Sequence, residues 1–433
     1  MKQTLRRMFL STLEEITLDR VLAEKVRCQD GVLSVGNERI ELKEFKKILA
    51  VAVGKAAYPM AKALTQILQP HVVSGVTVSP APPERPLPHF MSYVGGHPYP
   101  NEQSFHAADV VWELLDDLKE HYLVIYLVSG GGSAICEKPV GEEISLADSR
   151  AFFEVLVTCG ANIVEMNVLR KHFSGVKGGR LAARAHPARQ MTLYVSDVPS
   201  DKPSAVASGP TMPDESSVDD CYEIVERLSL LDRLPAPIRS MFHDRRIPET
   251  PKPGDPVFLH SSWHCLLDNQ AGLDLLTADA RKEDWIAETD LSVDDAPLED
   301  AVTRLLARLE ELKSRHPGST AALLTGGELS CPVTGDGLGG RNQAFVLECA
   351  RRIAGRKIAV VSAGTDGIDG NSQAAGAVAD GDTLARASRL GLDAKDFQQR
   401  SDSYRFFEAL DDLIMTGPTG NNIRDLRLLV AWE

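Results

Sequence analysis

No stretch of the chain approaches the 18 or so consecutive apolar residues of a membrane-spanning helix, so a helical membrane protein is excluded. The seven cysteines are scattered, with no C-x-x-C pair and no metal-ligand spacing. That rules out a disulfide framework and a thiolate zinc site, and predicts reduced thiols in a cytoplasmic protein. Net positive charge is also missing. The formal charge of −14 argues against nucleic acid and anionic membranes as partners. There is no G-x-x-x-x-G-K-[ST] run, so the P-loop NTPases are excluded too. The first residues, MKQTLRRMFLSTLEEITLDR, place Glu14 and Glu15 too soon after the apolar patch for a secretory signal, and predict an amphipathic helix instead.

What the chain does have is core. Of its 433 residues 43% are hydrophobic and 25% charged, which suits two folded domains rather than disorder. Short continuous apolar runs recur at 48–53 (ILAVAV), 123–128 (LVIYLV), 191–195 (MTLYV), 321–324 and 358–361. Unbroken apolar runs of this length suit strands covered on both faces. Helix-period segments alternate with them, as at 107–119, 148–166 and 297–313. The alternation predicts two α/β domains with largely parallel sheets, the N-terminal one Rossmann-like. Six prolines between 234 and 256 place a linker at 247–255, giving domains 1–246 and 256–433.

The chemistry-bearing residues gather just past the apolar runs, where open α/β sheets hold ligands. Lys55 follows the first run at a strand-to-helix corner. Ser129, Gly130, Gly131, Gly132 and Ser133 follow LVIYLV, an amide nest with flanking hydroxyls suited to phosphate or carboxylate. The segment 167–180 (NVLRKHFSGVKGGR) packs five cations, Lys177 among them, into an acidic chain; they read equally as an anion site and as a solvated face. Asp197 and Asp201 follow MTLYV and suit Mg²⁺ coordination or general base work.

In the second half, 321–354 reads AALLTGGELSCPVTGDGLGGRNQAFVLECARRIA. The strand at 321–324 breaks at Gly326-Gly327, Glu328 follows, and 329–334 reads as a further short strand. Four glycines, Gly339 and Gly340 among them, then lead to Arg341 and Asn342 at the start of a helix. A cation there opposes the helix dipole, which suggests an anion site and predicts that removing Arg341 leaves the fold intact. Gly335, Gly337 and Gly340 also spell G-x-G-x-x-G, but the acid expected about 20 residues on, after the next strand, is missing, which argues against a nicotinamide site. Asp366 and Asp369 sit in a glycine-rich loop after 358–361 that lacks the calcium-loop ligand order. Residues 257–260 open the second domain as a strand-like segment. Asp201, Glu328 and Asp366 rival Asp197 as the key acid. Glycine loops with Lys, Arg and Asp at strand ends point to phosphoryl transfer, with the crevice expected between the domains.

Eight segments spread over the chain, among them VGKAAYPMA (53–61), VGGHPYPNEQS (94–104), SGGGSA (129–134), RKHFSGVKGGRLA (170–182), LTGGELSCPVTGDGLGGRNQAFVLECA (324–350) and TGPTGNNIRDL (416–426), together resemble the class II glycerate 2-kinases, whose C-terminal half is a MOFRL domain. The resemblance implies ATP- and Mg²⁺-dependent phosphorylation of D-glycerate at its 2-hydroxyl. Members also carry the label hydroxypyruvate reductase, which keeps an NAD(P)H-dependent reductase as the alternative; a non-catalytic sugar-acid sensor is a third. Departures at Asn371-Ser372-Gln373, Pro199-Ser200, Asn421 and 261–270 bear on the hydroxy acid accepted more than on the reaction. The residues themselves suggest Lys55 and Arg341 as cations for the transferred phosphoryl or the glycerate carboxylate, Asp197 as general base or Mg²⁺ ligand, and the amides of Gly130, Gly131 and Gly132 as an anion cradle.

Overall fold

The structure, a computed structural model, describes residues 1–433. The chain forms two compact units, Leu18–Leu266, and Met1–Thr17 together with Leu267–Glu433. Both are α/β.

The unit Leu18–Leu266 is built on a six-stranded sheet in the order Phe90–Val94, Val73–Ser79, Lys47–Val53, Tyr122–Val128, Arg189–Val195, Ser261–Leu267. In chain order these are the third, second, first, fourth, fifth and sixth strands, the doubly wound arrangement. The first five pair in parallel. Lys47–Val53 pairs with both Val73–Ser79 and Tyr122–Val128, so Val53 stands opposite Val78 on one side and Val128 on the other. Strand order reverses here. The loops after Val53 and Val128 therefore leave the sheet side by side. The apolar runs form these strands because helices cover them: Leu49, Val51, Val124 and Tyr126 share one core with Ala107, Val111 and Leu181. A small antiparallel meander, Val26–Gln29, Val32–Val35 and Glu38–Glu41, belongs to the same unit.

The other unit has a six-stranded mixed sheet in the order Ile286–Thr289, Ala321–Gly327, Asp425–Ala431, Ile358–Gly364, Gly376–Asp380, Leu413–Ile414. Only the first pair is parallel. Asp425–Ala431 inserts between Ala321–Gly327 and Ile358–Gly364 and runs antiparallel to both. A largely parallel sheet was the expectation; apolar runs report burial on two faces, which a central antiparallel strand shares. The amphipathic helix expected at the start is Lys2–Glu15, and its Leu5, Met8 and Phe9 pack with Leu324, Val361 and Leu428.

Two expected elements differ. Residues 329–334 form no strand, only a bridge from Ser330 to Pro297. Residues 257–260 carry a 3-10 turn, Pro256–Phe258, and the strand Ser261–Leu267 that follows completes the first sheet rather than opening the second domain. The 247–255 segment expected as a linker is tied down within the unit Leu18–Leu266. Thr250 is buried and donates to Asp214 (3.0 Å), and Arg180 donates to the Pro248 carbonyl (3.1 Å). Proline density there reflects an irregular, docked path.

Candidate active site

The switch point of the first sheet is closed by backbone. The Lys55 amide donates to the Gly130 carbonyl (2.9 Å), the Ser129 amide to the Val53 carbonyl (3.0 Å), and the Ala56 amide to Ser129 Oγ (3.0 Å). A Cβ on Gly54 would lie 2.4 Å from the Ser129 carbonyl oxygen, so only glycine lets the two strand ends meet this closely. Lys55 itself is exposed and makes no ion pair. The amides of Gly130 and Gly131 donate to no protein acceptor, and Gly131 holds φ +83°. Amides left open at a strand-to-helix turn form an anion nest.

Side chains frame that nest closely. A Cβ on Gly130 would lie 1.9 Å from Asp197 Oδ2, so glycine is what lets this carboxylate approach. A Cβ on Gly131 would meet His97 Cδ2 at 3.2 Å and Lys55 Cγ at 3.3 Å. Lys55, His97 and Asp197 thus border one loop. Ser133 Oγ meets Ser208 Oγ (2.7 Å), which donates to Asn167 Oδ1 (3.0 Å). Ala207 and Ser208 hold φ of 49° and 60°, and Ala207 Cβ lies against Gly132. Strained non-glycine backbone of this kind persists where its surroundings enforce it, often at functional sites. His97 was missed by sequence reasoning. Its signal was its place in the VGGHPYPNEQS segment, on the loop after another parallel strand. Desolvation, and then the Lys55 ammonium, hold its imidazole below the ordinary value.

The cations of 167–180 are another matter. Lys171 pairs with Asp214 (3.0 Å), His172 with Glu249 (2.9 Å), and Lys177 with Glu137. Lys177 is 1% exposed, so the expected ligand cation is an internal counter-ion. Charge density in the sequence marked these residues, but their acids come from remote positions. Neither Arg170 nor Arg180 makes an ion pair: Arg170 lies over the Phe153 ring (5.2 Å) and Arg180 donates to the Pro248 carbonyl. Asp201 is exposed on the loop beyond Asp197.

In the other unit the glycine loop is arranged differently. The Gly337 amide donates to the Arg400 carbonyl (3.1 Å), Leu338 to Asp402 Oδ1 (3.0 Å), and Gly339 to Asn371 Oδ1 (2.9 Å). The following helix, Arg341–Arg352, receives the buried Asp369 at its N-terminus. Asp369 Oδ1 accepts from the Asn342 amide (3.1 Å) and Oδ2 from the Gln343 amide (2.8 Å). The anion expected at this helix start is the protein's own carboxylate. Burial, opposed by these amides and helped by Asp425, raises the Asp369 pKa to about 6. Asn342, expected as a ligand residue, is 1% exposed and donates to Asp369 (3.3 Å) while accepting from Ser362 (2.5 Å). Its amide is structural.

Arg341 is the group this loop presents. Its Nε donates to Asp425 Oδ2 (2.6 Å) and Nη2 to Asp425 Oδ1 (3.0 Å), and Nη2 also meets Glu328 Oε1 (3.1 Å). Burial opposes the Arg341 charge, but its bonds with Asp425 more than offset that and push its pKa up. Arg427, fully buried, donates to Asp425 Oδ2 (2.8 Å) and to the carbonyls of Gly326 (3.3 Å) and Gly327 (3.1 Å). Arg341 is thus also tied into the fold, as one of two counter-charges on a buried carboxylate that Arg427 holds as well. Asp366 Oδ1 accepts from the Ile368 amide (3.1 Å) and lies 3.1 Å from the Cβ position of Gly364. No group of three or more His, Cys, Asp or Glu has metal-holding geometry.

Comparison with known proteins agrees with this architecture. Residues 4–243 match the family described as Domain of unknown function (DUF4147), and residues 321–425 match the MOFRL family. The D-glycerate 2-kinase of Thermotoga maritima is 36% identical over 88% of this chain and 89% of its own. The glycerate 2-kinase of Pyrococcus horikoshii is 31% identical over 95% of this chain and 93% of its own. A protein of Agrobacterium vitis, provisionally named hydroxypyruvate reductase, is 37% identical over 89% of this chain and 99% of its own. The crystal structure of the Thermotoga maritima glycerate kinase superposes with a TM-score of 0.86 at 32% identity, covering 99% of each chain. Fold and relatives define an α/β enzyme of the kinase class. Within that class, the chain belongs to the glycerate 2-kinase/MOFRL family.

Proposed function

We propose that the protein transfers the γ-phosphoryl group of ATP to the 2-hydroxyl of D-glycerate, giving 2-phosphoglycerate and ADP, with Mg²⁺, in the cytoplasm. The observation that carries this reading is the switch-point loop, where an unpaired lysine, open glycine amides and a carboxylate border one nest. Such transfer needs positioning and charge neutralisation more than covalent chemistry. Ser129, Gly130, Gly131, Gly132 and Ser133 would cradle phosphate oxygens, and Lys55 would neutralise charge on the transferred group. Magnesium typically takes one or two carboxylates plus substrate phosphates. Asp197, against Gly130, fits that need and would hold the ion, which when bound offsets phosphate charge. His97, its imidazole held below the ordinary value, would accept the 2-hydroxyl proton as the new O–P bond forms and the bond from Pγ to the β,γ-bridging oxygen breaks. In the other unit, the partly exposed Arg341, beside Glu328, would offer a positive contact to an anionic group.

The Agrobacterium vitis relative's name suggests hydroxypyruvate reduction. Against it, the turn after the first strand of the doubly wound sheet reads Gly54-Lys55-Ala56-Ala57, not G-x-G-x-x-G. The G-x-G-x-x-G at 335–340 precedes a helix whose first amides already bind Asp369. The test is incubation with ATP, Mg²⁺ and D-glycerate, with the product identified by phosphorus NMR. ADP release dependent on both glycerate and Mg²⁺ is expected. NADH oxidation by hydroxypyruvate without ADP release would reverse the reading.

A further inference from the structure

The second sheet places one carboxylate where strand-end reasoning does not look. Asp425 begins a strand rather than following one. Because that strand runs antiparallel between two neighbours, Asp425 stands in register opposite Gly327 and Gly364, the last residues of both. It is 0% exposed and holds the Arg341 guanidinium by two bonds, Nε–Oδ2 at 2.6 Å and Nη2–Oδ1 at 3.0 Å. Arg427 fixes the carboxylate in turn, and is itself fixed by the Gly326 and Gly327 carbonyls and the Phe345 ring (5.4 Å). Nη1 of Arg341 makes no bond within the protein, while the Arg341 side chain is 35% exposed. The guanidinium therefore has a clamped, buried edge and one corner available to a ligand. A buried charged triad of this kind is no more stabilising than well-packed apolar side chains of the same volume. Stability alone does not account for it.

We infer that Asp425 is a positioning residue, which with Arg427 fixes the plane and direction of Arg341 so that Nη1 meets the anionic substrate. The inference rests on the proposed role of Arg341 in binding the transferred group or the substrate carboxylate. A bidentate clamp suits this task because it defines the guanidinium plane, which a single point charge does not.

Chemical rescue in the full chain tests it. Arg341→Ala leaves Asp425 still held by Arg427, a vacant receptor for a guanidinium ion. We expect Arg341→Ala to lose about 10²-fold or more in kcat/KM, the scale for one charge-stabilising contact. Added guanidinium or methylguanidinium should restore part of the loss in a saturable way. The double variant Arg341→Ala/Asp425→Asn should not respond. Asp425→Asn alone should lower kcat by about 10²-fold, as misplacement of a reacting contact does, with KM for ATP and glycerate little changed. A folded Asp425→Asn enzyme with wild-type kcat overturns the positioning role while leaving Arg341 in place. If Asp425→Asn does not fold, rescue of Arg341→Ala decides alone, and a folded Arg341→Ala enzyme that ignores guanidinium overturns the inference. Arg341→Ala with unchanged activity sinks the underlying role of Arg341 instead.

Discussion

The molecule has two glycine-rich loops of similar composition that work in opposite ways. In the loop after Val128 the amides of Gly130 and Gly131 donate to nothing within the protein. In the loop at 335–340 the amides of Gly337, Leu338 and Gly339 go to Arg400, Asp402 and Asn371, and the helix beyond is capped by Asp369. The first leaves its amides unpaired within the protein; the second ties its amides to remote acceptors and presents Arg341. Glycine density is thus no guide to how a loop meets an anion. What decides it is whether a remote acid or carbonyl folds back onto the loop.

The largest effect expected from this contrast is at Lys55, the side chain that complements the open loop. Lys55→Ala should lower kcat/KM by about 10²–10³-fold with its melting temperature nearly unchanged, because the ammonium makes no ion pair. An early melt with normal turnover once folded would make the lysine structural and erase the difference between the loops.

Next is Asp369, which occupies the second loop's helix. Its pKa, raised by burial to about 6, lies above its unfolded value, so the folded state binds a proton the unfolded state releases. Its contribution to stability is full below the unfolded pKa and is lost as pH rises through about 6. Asp369→Asn should flatten the pH dependence of the melting temperature across that window. An unchanged slope would mean the carboxylate titrates normally and that the cap is a simple surface one.

The smallest effect is at Asn371, which accepts from Gly339 and donates to the Gly337 carbonyl (3.1 Å). Asn371→Ala removes two exposed hydrogen bonds, each worth about 0.5–1 kcal/mol. Amide exchange should quicken at Gly339 and stay unchanged at Gly130 and Gly131. Equal quickening in both loops would break the contrast.

Much of this was legible in the sequence. The doubly wound unit announced itself through unbroken apolar runs, and Lys55, Ser129–Ser133 and Asp197 come together at one loop because parallel strands deliver residues to one edge. Strand order and direction were not legible, since burial on two faces looks the same for parallel and antiparallel neighbours. Asp425 was missed for that reason. Lys177 and Asn342 were misplaced because their partners, Glu137 and Asp369, are brought to them only by the fold. The 247–255 segment misled through composition: prolines mark irregular backbone, and here that backbone docks through Thr250 and Pro248.

The placement of Asp425–Ala431 in the middle of its sheet also sets an order of events during synthesis. The unit Leu18–Leu266 has all its strands once residue 267 has emerged from the ribosome, and domains generally fold as they emerge. The other unit combines the helix Lys2–Glu15 with the strand Asp425–Ala431, about 400 residues apart. Ala321–Gly327 and Ile358–Gly364 have no pairing with each other except through that strand, so their sheet stays split until Asp425–Ala431 has emerged. Until then Leu5, Met8 and Phe9 wait for a core that includes Leu428 and Val430. A nascent chain stalled before residue 425 would carry one finished unit and one open one.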